Sequence, residues 1–137
     1  MRRRAYLRNT FILTALVIAI VTGCDAAKAR YTSRAGTAIP AEITVTKLAD
    51  ILKSPQRFKD TKVLLSGIIA GICPSLCDLT YQEAKDTVMV YPAGFKLPKS
   101  KKGQAVRIYG EVKTGEERIF ISALGVEVKN KGKEKVK

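Results

Sequence analysis

The sequence predicts a mainly β protein: a small, strongly coiled barrel of about five strands, OB-fold-like in plan, with one short helix on its N-terminal side. Three observations carry this expectation. Lys62 to Ile72 is a long apolar run rich in Val, Leu and Ile, broken by Gly67 and Gly71, and glycines inside a strand mark bulges or tight coiling. Gln104 to Val112 alternates, with Val106, Ile108 and Val112 on one side and Arg107, Tyr109 and Glu111 on the other, the period of a half-buried strand. Thr114-Gly115-Glu116-Glu117 then forms a turn before a further apolar stretch, Arg118 to Val128, so these two strands read as a hairpin. A few glycine-rich strands of unequal length must hide their edges, and a closed barrel does so in roughly 70 to 110 residues.

Taken in chain order, the elements are these. Asp25 to Val45 has no sustained apolar period, so residues 24–45 read as a tether. At Thr46 the pattern changes: Leu48, Ile51 and Leu52 fall at helical spacing, Thr46 is in place to cap the helix, and Ser54-Pro55 stops it. The barrel domain is expected over 46–128. Lys62 to Ile72 has apolar residues on both faces and should be buried; Pro74 removes a ladder donor and should end the strand near Ile72. Thr87 to Tyr91 is a short strand ended by Pro92, with a loop before it. Beyond Val128 the chain dissolves into Lys129, Lys131, Lys133, Lys135 and Lys137 around Glu134, too charged to pack, so 129–137 reads as a disordered basic tail.

Arg2, Arg3, Arg4 and Arg8 precede an apolar stretch from Phe11 to Thr22, and Gly23 supplies a small residue at its end, the plan of a secretory signal over 1–23. The stretch falls short of the roughly 20 residues a membrane-spanning helix needs. Val21-Thr22-Gly23-Cys24 resembles the lipobox of bacterial lipoproteins, a resemblance that implies cleavage before Cys24, acylation of its thiol and a lipid anchor on the extracytoplasmic side of the cell membrane, periplasmic where there are two membranes. Cleavage there removes four arginines and no acidic residue, so the formal +13 falls by four to +9. Such a field favours anionic partners; for an exported chain these are membrane headgroups, contacted above all by Lys129, Lys131, Lys133, Lys135 and Lys137, with an envelope protein as a further partner and nucleic acid a poorer one.

The phrases Phe58 to Gly67 and Gly103 to Val112 share a polar, alternating-hydrophobic, glycine pattern. They are similar to strands 1 and 4 of OB-folds of the nucleic-acid-binding type and of small secreted OB-fold domains; Phe95-Lys96-Leu97-Pro98 and Ala123 to Glu127 extend the likeness over about 46–128. The resemblance implies a fold and a binding or assembly module. Secreted members often place a cysteine pair after the first strand, and Cys73 and Cys77 occupy that place, with Leu76 and Asp78 departing from the family's neighbours.

Little points to catalysis, and a non-enzyme without cofactor or metal is expected. The chain has no histidine, which removes the usual general base and the commonest metal ligand. Asp78, Glu83 and Asp86 would gather in the loop before Thr87, where carboxylates solvate a loop or hold a cation. Lys99, Lys101 and Lys102 follow Pro98 as an exposed turn or a phosphate contact. Tyr81 and Tyr91 suit packing, or stacking on a barrel face. Cys73-Pro74-Ser75-Leu76-Cys77 holds the strongest local chemistry: with Cys24 acylated, an even pair remains, and exported thiols tend to be oxidised. Three readings stay open for it: a structural disulfide, a redox-active pair, and a ligand or metal site, the last needing a further strong ligand.

Overall fold

The computed structural model describes residues 31–130. Six strands and two short helices follow in the order β1 (Ser33–Gly36), α1 (Leu48–Lys53), α2 (Pro55–Phe58), β2 (Lys62–Ile72), β3 (Leu79–Glu83), β4 (Asp86–Pro92), β5 (Ala105–Thr114) and β6 (Ile119–Val128). Five of the strands close on themselves: β2 pairs with β3, β3 with β4, β4 with β6, β6 with β5 and β5 with β2. All these pairings are antiparallel except β4 with β6, which is parallel. The protein is therefore a mainly β, closed five-stranded barrel of OB-like plan, in which closure leaves few free strand edges.

β2 is the pivot because it is long enough to serve two neighbours. Its first part, Lys62 to Ile68, lies against β5, and its last part, Ile68 to Ile72, lies against β3. The register slips between Ile69 and Gly71, the bulge the glycines announced, and this bend lets one strand turn the corner of the barrel. Gly67 sits where a side chain would run into the Gln82 carbonyl and the Tyr81 hydroxyl, the latter at 2.8 Å. Along its other edge the barrel is sewn by the long β5–β6 hairpin, from Thr114 opposite Ile119 to Val106 opposite Val128.

The core follows from the alternation. Leu65, Ile69, Leu79, Tyr81, Val90, Val106, Ile108, Val112 and Ile121 are fully enclosed. Leu48 and Ile51 of α1 join the same cluster, so the helix lies over one mouth of the barrel as a plug. Pro55 begins α2 at its first turn, where its missing N–H costs nothing.

Four expectations need correction. The stretch read as a tether contains β1, paired with β6 from Ser33 opposite Val128 to Gly36 opposite Gly125, and Val45 bridges to Leu64. Its stabilisation comes from a distant partner strand rather than from its own sequence. The single helix is two, split at Ser54. Its N-cap is Lys47 with no side-chain hydrogen bond, because Thr46 donates its N–H to Leu64 O, and the Leu48 N–H is satisfied instead by Glu83 Oε2 at 2.5 Å. Finally, part of the loop expected before Thr87 is β3, with Leu79 and Tyr81 inward and Thr80 and Gln82 less buried.

Candidate functional site

The strand directions sort the barrel into two poles. One is closed by α1, α2, the β3–β4 turn and the β5–β6 turn. The other gathers the end of β2, the start of β3, the end of β4, the start of β5, the end of β6 and the start of β1. Loops rather than helices cover this second pole, and most of the residues with chemical potential lie there.

Cys73 follows directly on β2, which ends at Ile72 as Pro74 requires. The loop folds back tightly: Leu76 donates its N–H to Cys73 O at 2.8 Å, Cys73 donates to Asp78 O at 3.1 Å, and Leu76 takes a left-handed φ of 60°. This turn brings the two thiols together. Both are free, and Cys77 Sγ donates to Cys73 Sγ at 2.7 Å, while Cys73 Sγ shares a 3.1 Å hydrogen bond with Ser75 Oγ. Accepting from Cys77 and Ser75 brings the Cys73 thiol down to about 7, since hydrogen bonds to the thiolate favour it. Cys77, which holds that same hydrogen bond as donor and sits beside the Asp78 carboxylate, is pushed up. The reactive thiolate form is thus favoured at Cys73 and disfavoured at Cys77.

Asp78 joins the pair: the ligand atoms of Cys73, Cys77 and Asp78 lie within 4.8 Å of one another. Two sulfurs and one carboxylate fall one ligand short of a closed tetrahedral site. Glu83 and Asp86 do not gather with Asp78; they face each other across the β3–β4 turn at the helix-plugged pole, where Glu83 caps α1. Beside the thiols an open cleft of about 570 Å³ is lined by Leu76, Cys77, Pro92, Phe95 and Lys96.

Tyr81 belongs to the core, its hydroxyl buried without a partner and its ionisation pushed up by burial first and by Glu83 second. Tyr91 is 44% exposed and meets Phe120 edge-on at 5.6 Å. Lys99, Lys101, Lys102 and Lys129 are all exposed. Lys129 is held by the barrel through its N–H to Ala105 O at 2.9 Å. Cys24, Lys131, Lys133, Lys135 and Lys137 lie outside the described residues. What sequence reading missed is the side-by-side placement of the lysine loop and the two chain ends; Lys101 and Lys102 line a second cleft, of about 430 Å³, together with Gln104 and Asn130.

No protein-family model matches the chain, and no curated protein matches it. Among solved structures it is similar to the hypothetical protein YgiW from E. coli, at 18% identity and a TM-score of 0.49, over 62% of this chain and 89% of that one. The fold assignment stands on the strand order itself.

Proposed function

We propose that the chain is a lipoprotein of the bacterial cell envelope, held to the membrane through acylated Cys24 and presenting its OB-like barrel as a non-enzymatic binding or assembly module. The observation that supports the module reading is the outer face of β3 and β4. Thr80 lies opposite Met89 and Gln82 opposite Thr87, Ile68 flanks Gln82 from β2, and Phe120 flanks Met89 from β6. Ile68 and Tyr91 are 42% and 44% exposed there, two large apolar side chains among polar Thr and Gln on the strands that small five-stranded barrels use for ligands. The anchor reading is supported by the lipobox resemblance at Val21 to Cys24.

Fractionation tests the anchor: acylated protein should stay in the membrane pellet through a high-salt wash and Cys24→Ala should not, because two or more acyl chains hold durably where one is marginal. Retention of Cys24→Ala would reject it. Crosslinking in intact envelopes tests the module. One defined adduct should form with the wild type and be lost with Tyr91→Ala, and an unchanged adduct would remove the β3–β4 face from the proposal.

The 2.7 Å approach of Cys73 and Cys77 favours a second reading, a thiol-based redox or metal-handling role for this loop. Quantitative alkylation of both thiols without prior reduction would move weight towards it.

A further inference from the structure

We infer that the loop-covered pole is a docking surface for the anionic phospholipid headgroups of the membrane that holds Cys24; the inference rests on the anchor reading above for which membrane that is. From Ala93 to Gly110 the chain has no acidic residue, yet it carries Lys96, Lys99, Lys101, Lys102 and Arg107. Lys99, Lys101, Lys102 and Lys129 are exposed, and none of the four forms an ion pair among the described residues. Their charge is free to act outward.

The first and last described residues both lie at this same corner. Gln104 Nε2 donates to Asn130 Oδ1 at 3.2 Å, Asn130 Nδ2 donates to Ser33 Oγ at 2.8 Å, and Thr32 donates its N–H to Val128 O at 3.2 Å. The lysine loop, the entering strand and the departing strand are therefore tied together. Cys24 precedes Tyr31 by seven residues, and a chain of that length reaches at most about 25 Å. An anchor at Cys24 thus keeps the lysine loop close to the bilayer. The opposite pole mixes both signs, its Asp60, Glu83, Asp86, Glu111, Glu116 and Glu117 lying among Lys59, Lys62, Lys85, Lys113 and Arg118, whereas the loop-covered pole sets Asp78 and Glu127 against a larger number of lysines and arginines. Charge and tether agree on one orientation, with the basic pole down and the helix plug away from the membrane.

The test uses the full chain carrying Cys24→Ala, so that no acyl group contributes, and cosedimentation with phosphatidylglycerol-containing or pure phosphatidylcholine vesicles. Binding should favour the anionic vesicles and weaken as salt rises through physiological strength, where screening acts within about 8 Å. Each lysine near such a surface is worth roughly fivefold, so replacing Lys99, Lys101 and Lys102 together by Gln should lower anionic binding on the order of 100-fold. The matched triple Lys59→Gln, Lys62→Gln and Lys85→Gln removes equal charge away from this pole and should lose far less. Equal losses from the two triples would reduce the effect to net charge and overturn the inference, as would no loss from either. Tighter binding to a single-stranded oligonucleotide than to anionic vesicles would overturn it in favour of a nucleic-acid surface. The vesicle result does not depend on acylation of Cys24, which fractionation reads separately, so either idea can fail alone.

Discussion

Lysine serves opposite purposes at the two poles of the barrel. At the helix-plugged pole Lys113 is enclosed by carboxylates, with Nζ 2.8 Å from Asp60 Oδ1 and 2.9 Å from Glu111 Oε2, which holds its charged form and pushes its ionisation up. At the loop-covered pole Lys99, Lys101 and Lys102 follow one another closely on an exposed turn and form no ion pair among the described residues. The first arrangement neutralises charge within the fold and contributes to holding the α2–β2 connection against β5. The second leaves it available to a partner. Matched charges belong to the fold, and among the unmatched ones the lysines of the loop-covered pole stand out because no acidic residue lies between Ala93 and Gly110.

The widest separation between the poles should come from the plug. Ile51→Ala removes a fully enclosed side chain from α1 and is expected to cost about 2 to 5 kcal/mol, measured by urea unfolding. A loss below about 1 kcal/mol would mean the barrel closes without its helix and would erase the contrast. Next comes the thiol loop. Non-reduced, alkylated protein exported from cells should show a deficit of about two mass units in the peptide spanning Cys73 and Cys77, from the two hydrogens lost on bridging. In reduced protein, alkylation of Cys73 should rise through about pH 7 while Cys77 lags behind it at higher pH, because only the thiolate reacts. Identical profiles would show that the two sulfurs are not coupled.

A smaller effect is expected at β1. Glu127, nearly buried, holds Arg34 of β1 at 3.3 Å and Arg107 of β5 at 3.5 Å. Glu127→Ala should cost about 1 kcal/mol, discounted because Arg34 is largely exposed. Amide exchange at Ser33 to Gly36 should speed up more than exchange in β5, and uniform acceleration would mean that the ion pairs stabilise the whole barrel instead of fastening one strand. Asp60→Asn is expected to change least. Its carboxyl is held below the ordinary value by Lys113, so its contribution is present above the unfolded-state value and is lost as pH falls through the lowered one. The stability difference between Asp60→Asn and wild type should therefore vanish in acid, and a difference that persists there would assign the pair a role other than charge.

The parts of the fold legible in the sequence were those whose stabilisation is local or strongly periodic. β2 occupies the stretch marked by its apolar run, and β5 with β6 forms the hairpin that alternation and the Gly115 turn announced. β3 escaped because only Leu79 and Tyr81 mark its inward face, and its turn to β4 uses Ala84 at a φ of 52° where a glycine or asparagine would have signalled it. A period-two reading of Leu79, Tyr81 and Glu83 was the available clue. β1 gave no signal at all, since Ser33-Arg34-Ala35-Gly36 has no apolar pattern and is held by β6. The thiol pair was visible as a spacing, but the left-handed turn at Leu76 that joins the sulfurs was not. The lysine loop was visible as a charge run; its placement beside Ser33 and Asn130 depends on contacts between distant parts of the chain.

The pairing of β1 with β6 also sets a schedule for folding. Ser33 is made long before Val128, the residue it faces, and at synthesis rates of about 5 to 20 residues per second the first strand waits on the order of 5 to 20 seconds for β6, its partner among the described residues. During that interval it is an unpaired edge. Its four residues include a charged arginine and a glycine and lack any large apolar side chain, features that keep an exposed edge from pairing with other chains. The same poverty of pattern that hides β1 from sequence reading lets it wait safely and dock last.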